Sequence, residues 1–141
     1  MTKVKEDLKD VFFPNNEEKK WRVAKNRFMD DFIYIGLTDL NNGFDVAVIK
    51  YFSLLDFEIV MDRCEEHGIG LYGIEPWPNG EYGGCEVNEV YDLENTDPKW
   101  YRACVNKFVS KGITSYFAAS YHVPEKALIP YLKYITDNDI K

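Results

Sequence analysis

The sequence predicts an α+β fold, with a mainly antiparallel sheet of about five strands packed against helices as a single pair of layers. Three observations lead there. Two stretches, 32–52 and 69–91, each read as a pair of strands around a turn rich in glycine, proline or asparagine. Segments with helical apolar spacing and recognisable caps lie between and around them. Finally, 141 residues, 45% of them hydrophobic and 16% aromatic, suit one domain spanning 1–141 with a sizeable core.

Taken in order, Val4, Leu8, Val11 and Phe12 recur at i, i+4, i+7 and i+8, predicting a short opening helix. Phe13-Pro14-Asn15-Asn16 breaks it, and an asparagine caps a second helix over 16–30 that turns Trp21, Ala24 and Phe28 inward. Strands are expected at 32–38 and 44–52, joined by the Asp39–Gly43 turn. Ser53 and Asp56 resemble a capping box opening the helix of 53–67. Its buried stripe is Phe57, Val60, Met61 and Cys64, and Gly68 stands where a left-handed stop is wanted.

A strand at 69–75 follows, then a Pro76–Gly80 turn and a returning strand at 82–91. Asp97-Pro98 is a cap followed by an N1 proline, starting a helix that buries Tyr101, Cys104, Val105 and Phe108 and stops at Gly112. The last strand is expected at 113–123. Pro124 starts a final helix with Leu128, Leu132 and Ile135 inward, kinked or divided at Pro130.

Charge is the most informative feature of the composition. Residues 1–28 carry eight Lys/Arg and five Asp/Glu, whereas 53–97 carry twelve acids and only Arg63. Such asymmetry speaks to partners and not to fold, and it disfavours nucleic acid, whose phosphates would be repelled. Lys19, Lys20, Arg22, Lys25 and Arg27 make the second helix basic around Trp21, but a solvated helix face is the better reading there. No run of about 18 apolar residues suggests a membrane span. The charged start carries no secretory h-region, so a cytoplasmic location is expected. Three cysteines without a CxxC read as reduced thiols.

Chemistry-bearing patterns are sparse, so the chain reads as a binding module before an enzyme. Cys85 and His122 suggest a nucleophile pair, with Glu86 or Asp92 to orient the imidazole. Nothing fixes their spacing, and acidic neighbours raise a thiol pKa, the wrong direction for a nucleophile. His67 and His122 lack metal-ligand spacing, and a carboxylate-only Mg²⁺ or Ca²⁺ site has no EF-hand pattern behind it. Phosphate-cradling glycines are absent, and neither cofactor nor metal is expected. A carboxylate pair such as Glu75 and Glu86 can be drawn in any acidic protein.

Binding signals are denser. Glu58, Asp62, Glu65 and Glu66 fall at i, i+4, i+7 and i+8 on the face of the 53–67 helix opposite its apolar stripe. Like charges so placed cost an isolated helix a few tenths of a kcal/mol per pair, and Arg63 offsets only part through Glu66. Glu75, Glu81, Glu86, Glu89, Asp92, Glu94 and Asp97 continue the acidity, interleaved with Tyr72, Trp77, Tyr82 and Tyr91. Tyr and Trp on constrained loops make good interface anchors, and carboxylates around them steer a cationic partner.

In size, acidity and aromatic–acidic surface, the chain resembles the immunity proteins of bacterial contact-dependent (polymorphic) toxin systems. The resemblance implies a cytoplasmic inhibitor that binds a cognate toxin, commonly a nuclease, and covers its active site or substrate groove. The Glu58/Asp62/Glu65/Glu66 face and the Glu75–Glu94 hairpin would then fill a cationic cleft on the toxin. A small enzyme and a regulatory subunit with a stable cellular partner are the rival readings.

Overall fold

The computed structural model describes residues 16–140. The chain divides into two compact units, one spanning Ile33–Val123 and one made of the flanking segments. The expected helix over 4–12 and the break after it lie outside the described residues.

Ile33–Val123 is an α+β unit whose three strands form an antiparallel sheet in the order β2-β1-β3, with β1 at Gly70–Pro76, β2 at Glu86–Val87 and β3 at Phe117–His122. Three strands replace the expected five among the described residues. Helix α2 (Leu54–His67) and helix α3 (Pro98–Ser110) cover one face.

The caps act as the sequence indicates. Ser53 Oγ accepts from Asp56 N at 3.2 Å. Gly68 takes the left-handed conformation (φ 69°) that closes α2, where a side chain would be strained. Asp97 Oδ1 accepts from Lys99 N at 2.9 Å, and Pro98 sits in the first turn of α3. The Asp56 carboxylate, however, leaves its own helix to accept from Thr38 N at 3.1 Å. The α2 stripe of Phe57, Val60, Met61 and Cys64 is fully buried, as are Trp100, Tyr101, Cys104, Val105 and Phe108 of α3. Phe57 stacks on Phe117 of β3, with ring centroids 5.5 Å apart, tying α2 to the inner face of the sheet.

The two early strands are not formed. Residues expected to open the first run on as a π-helical turn at Met29–Ile33, and Gly36 (φ 79°) turns the chain. From 39 to 51 the chain is a loop organised by two side chains. Asn41 donates to the Val46 and Ile49 carbonyls at 2.8 Å each and accepts from Gly43 N and Asp45 N. Asp39 Oδ1 accepts from Asn41 N and Tyr51 N. These bonds occupy backbone groups that a strand ladder would have used. Only Phe52 pairs with the sheet, as a single bridge to Phe117.

The strand expected at 82–91 shrinks to Glu86–Val87. Gly83 N bonds back to Pro76 O at 2.8 Å, and Asn88–Tyr91 winds into a 3₁₀ turn closed by Asp92 in the left-handed region. The last strand starts four residues late. Ile113 N still bonds Phe108 O, while Tyr116 turns through φ 60° and its carbonyl accepts from Trp77 N.

The second unit contains α1 (Asn16–Phe28) and α4 (Glu125–Leu132). Ala24, Phe28 and Leu128 are buried, whereas Trp21 and Leu132 are only half-buried and Ile135 is buried beyond the end of α4. Phe28 meets Tyr131 edge-on at 6.3 Å, and Tyr131 Oη donates to Asp31 Oδ2 at 2.7 Å. Of the two outcomes expected at Pro130, division of the helix does not occur: α4 runs through it and ends two residues later. The one intrahelical bond that Pro130 cannot make is to the carbonyl of Lys126, in the first turn of α4, so little of the helix depends on it.

Candidate functional site

The fold sorts ten of the twelve acids of 53–97 into three groups. Glu58, Asp62, Glu65 and Glu66 lie exposed along the outward side of α2, away from the sheet. Arg102 of α3 reaches across to this row, 2.7 Å from Asp62 Oδ1 and 3.6 Å from Glu65 Oε1. Arg63 does not serve Glu66 as expected. Its guanidinium donates to the Ile33 and Ile35 carbonyls at 2.9 and 2.7 Å.

Glu89, Asp92, Glu94 and Asp97 surround a shallow hollow with Asn88 and Leu93. The loop bearing them is tied to the start of β1, because Asn95 O accepts from Leu71 N at 2.9 Å. Gly70 gives room to the Asn95 side chain, since a Cβ there would fall 2.0 Å from Asn95 Oδ1 and force that amide to move. The acidic loop and the C-terminal end of α2, which leads through Gly68 into β1, therefore share one end of the unit.

Tyr72, Glu75, Trp77, Glu81 and Tyr82 belong elsewhere. A bulge between Leu71 and Gly73 shifts the register of β1 against β3. In a regular strand, residues three apart face opposite ways, but the extra residue aims both Tyr72 and Glu75 at the outer face. Glu75 Oε1 accepts from Trp77 Nε1 at 2.7 Å, and Trp77 meets Tyr82 edge-on at 5.4 Å. Glu81 and Tyr82 are exposed, whereas Trp77 is half-buried. Gly70 and Pro76 are about 20 Å apart along the strand, so the two ends form separate fields. The single continuous surface expected from the sequence is not what the fold presents.

Glu86 is withdrawn from both fields. It accepts from Tyr91 Oη and pairs with Lys107 Nζ. Burial raises this carboxyl, but the Lys107 and Tyr91 hydrogen bonds and the Lys107 charge outweigh it and hold it below its ordinary value.

Beside Glu75 lies a cleft of about 330 Å³ between the 39–51 loop and the outer face of the sheet. Asp45, Tyr51, Cys85 and Ser120 line it with Tyr72 and Glu75. Of these, Asp45, Tyr51 and Ser120 are absent from the sequence-derived set. The Asp39-x-Asn41 spacing, a pattern of side chains bonding to nearby backbone, is the signal that could have found the loop wall. Burial, then Glu75 and Glu86, raise the Cys85 thiol above its ordinary value. His122 is not its partner. It pairs opposite Gly70, about 16 Å along the strands and about 10 Å across them from Cys85, and its Nδ1 is 2.8 Å from Tyr72 Oη.

Among the described residues no group of three or more His, Cys, Asp or Glu side chains is placed to hold a metal ion. No described helix is long and apolar enough to cross a membrane. No protein-family model, curated protein or solved structure matches the chain.

Proposed function

We propose that this chain is an immunity-type inhibitor that neutralises a basic toxin, of the nuclease class, by covering its active site or substrate groove. One observation carries the reading. The exposed carboxylates Glu65 and Glu66 at the C-terminal end of α2 and those of the 88–97 loop lie toward one end of Ile33–Val123. Glu58 and Asp62 continue the row along α2, and Arg102 bridges Asp62 and Glu65. Between 33 and 123 the chain carries fourteen acids and six basic residues, a net −8, against ten and eleven in the remainder. Like charges gathered on a solvated surface add nothing to the fold, whereas they raise the encounter rate with a cationic groove. A nuclease groove, built for phosphates, has the matching sign.

The test is capture of the partner from the native cell, followed by binding measurements on the Glu58→Gln, Asp62→Asn, Glu65→Gln variant. A basic partner held at least tenfold less tightly by the variant supports the reading. A neutral or acidic partner, or unchanged affinity, overturns the role of this face.

A second reading, a small enzyme, rests on the cleft that joins the Cys85 thiol to the Glu75 and Asp45 carboxylates. The raised thiol and the distant His122 give it no activated nucleophile. Alkylation of Cys85 at neutral pH is expected to be no faster than that of a free cysteine. Rapid, selective labelling would restore the enzymatic reading.

A further inference from the structure

The acid-lined cleft and the acidic α2 end lie on opposite layers of the unit. Phe57 of α2 packs on Phe117, whereas Glu75 and Ala118, paired in register, face the other way. A flat cationic surface on α2 does not also cover the cleft, so a partner that engages both reaches the cleft with a separate protruding segment. Its floor is cut down to small residues, Gly73, Ala118 and Ser120, in consecutive outward positions of β1 and β3. Its walls are stiff. Tyr51 Oη donates to Asp45 Oδ2 at 2.6 Å and Val46 N donates to Asp45 Oδ1 at 2.8 Å, fixing that carboxylate at the rim. Glu75 is fixed opposite by Trp77 Nε1.

Among the described residues neither carboxylate forms a salt bridge, and none of the eleven residues lining the cleft is basic. Lys50, beside Ile49 and Tyr51 in sequence, pairs with Asp39 at 3.7 Å, and Lys107 is held by Glu86. The negative field also reaches neighbouring acids. After burial, the charge of Glu75 contributes to raising Tyr51, Tyr82 and Cys85 alike. Tyr72, exposed on the outer face, adds aromatic surface of the kind that a guanidinium stacks on.

We propose that this cleft receives the guanidinium of an arginine side chain presented by the protein partner, held between Glu75 and Asp45 with its stem against Ile49 and Val87. The volume lies at the low end of the range for small-molecule sites, about 300–1,000 Å³, and suits one side chain in preference to a bulky cofactor. Arginine is favoured over lysine because its planar fork can engage two carboxylates at once. The exposed Val46 and Val48 beside the rim offer apolar contact to residues flanking that arginine. This proposal extends the inhibitor reading by naming the side chain that the partner inserts.

The experiment uses the isotope-labelled full chain and N-acetyl-arginine amide as the probe, with the citrulline analogue as its uncharged control. Saturable amide shifts at Gly73, Ala118, Ala119 and Ser120 are expected in the millimolar range. Binding should weaken at least fivefold for the citrulline analogue and for Glu75→Gln, whose amide oxygen still accepts from Trp77. Ser120→Leu, which fills the floor without touching charge, should block binding as well. The α2 triple variant should leave it unchanged. Equal binding of arginine and citrulline probes, shifts centred on α2, or an unaffected Glu75→Gln overturns the proposal. Failure of the probe while the α2 variant still loses the partner removes the cleft alone. Probe binding with a partner that proves neutral removes the inhibitor reading and leaves the cleft.

Discussion

Glu86 and the carboxylates of α2 belong to one run of negative charge in the sequence, and the fold treats them differently. Glu86 sits half-buried between α3 and the 3₁₀ turn, neutralised by Lys107 and bonded to Tyr91. Glu58, Asp62, Glu65 and Glu66 stay in solvent, with Arg102 as a bridge to two of them. The first arrangement holds elements together, while the second leaves charge for a partner. Acid density along a sequence is therefore not a measure of surface field, because each carboxylate must first be asked whether the fold already uses it.

Removing the inner acid should have the largest effect on stability. Glu86→Ala leaves Lys107 and the Tyr91 hydroxyl without their acceptor, and a loss of about 2 kcal/mol is expected in urea unfolding. Its carboxyl is held below its ordinary value in the folded state, so its contribution is fully present above that value. It disappears as the pH falls through the folded pKa. The native protein should accordingly lose more stability below about pH 4.5 than the Glu86→Ala variant does. Parallel acid transitions would deny Glu86 its structural role.

Next in size is the wall of the cleft. Asn41→Ala removes four hydrogen bonds from the 39–51 loop, and local protection should fall by about 1–2 kcal/mol. Hydrogen exchange should quicken at Gly43 and Asp45 while α2 and α3 keep their protection. Smallest of all is the outer acids' effect on folding. The triple neutralisation on α2 should shift stability by no more than about 0.5 kcal/mol, because exposed ion pairs contribute little. A drop of about 2 kcal/mol would mean that these acids, like Glu86, are part of the scaffold.

What could be read from the residues alone was whatever depends on neighbours in sequence. Ser53, Gly68 and Asp97-Pro98 act through groups one to four residues away, so α2 and α3 stand where the pattern puts them. The strand pattern of 44–52 misleads because β-branched and aromatic residues mark an extended chain without revealing whether a partner strand exists. Here the side chains of Asp39 and Asn41 supply the bonds, and Val46 and Val48 are left 60% and 63% exposed. The cleft was hidden for the same reason. It needs the bulge at Tyr72, the small floor of two different strands and a loop more than twenty residues upstream, none of which is a local signal. Arg102, forty residues from Asp62, was equally out of reach.

The most direct measurement is the association rate constant with the captured partner as ionic strength is raised. At about 0.15 M salt, fields between exposed charges fade over roughly 8 Å. The native chain should associate at least tenfold more slowly at high salt than at low salt, and the α2 variant should lose most of that dependence while its dissociation changes less. A rate indifferent to salt in the native chain would contradict the claim that the exposed acids of α2 exist to meet a cationic surface.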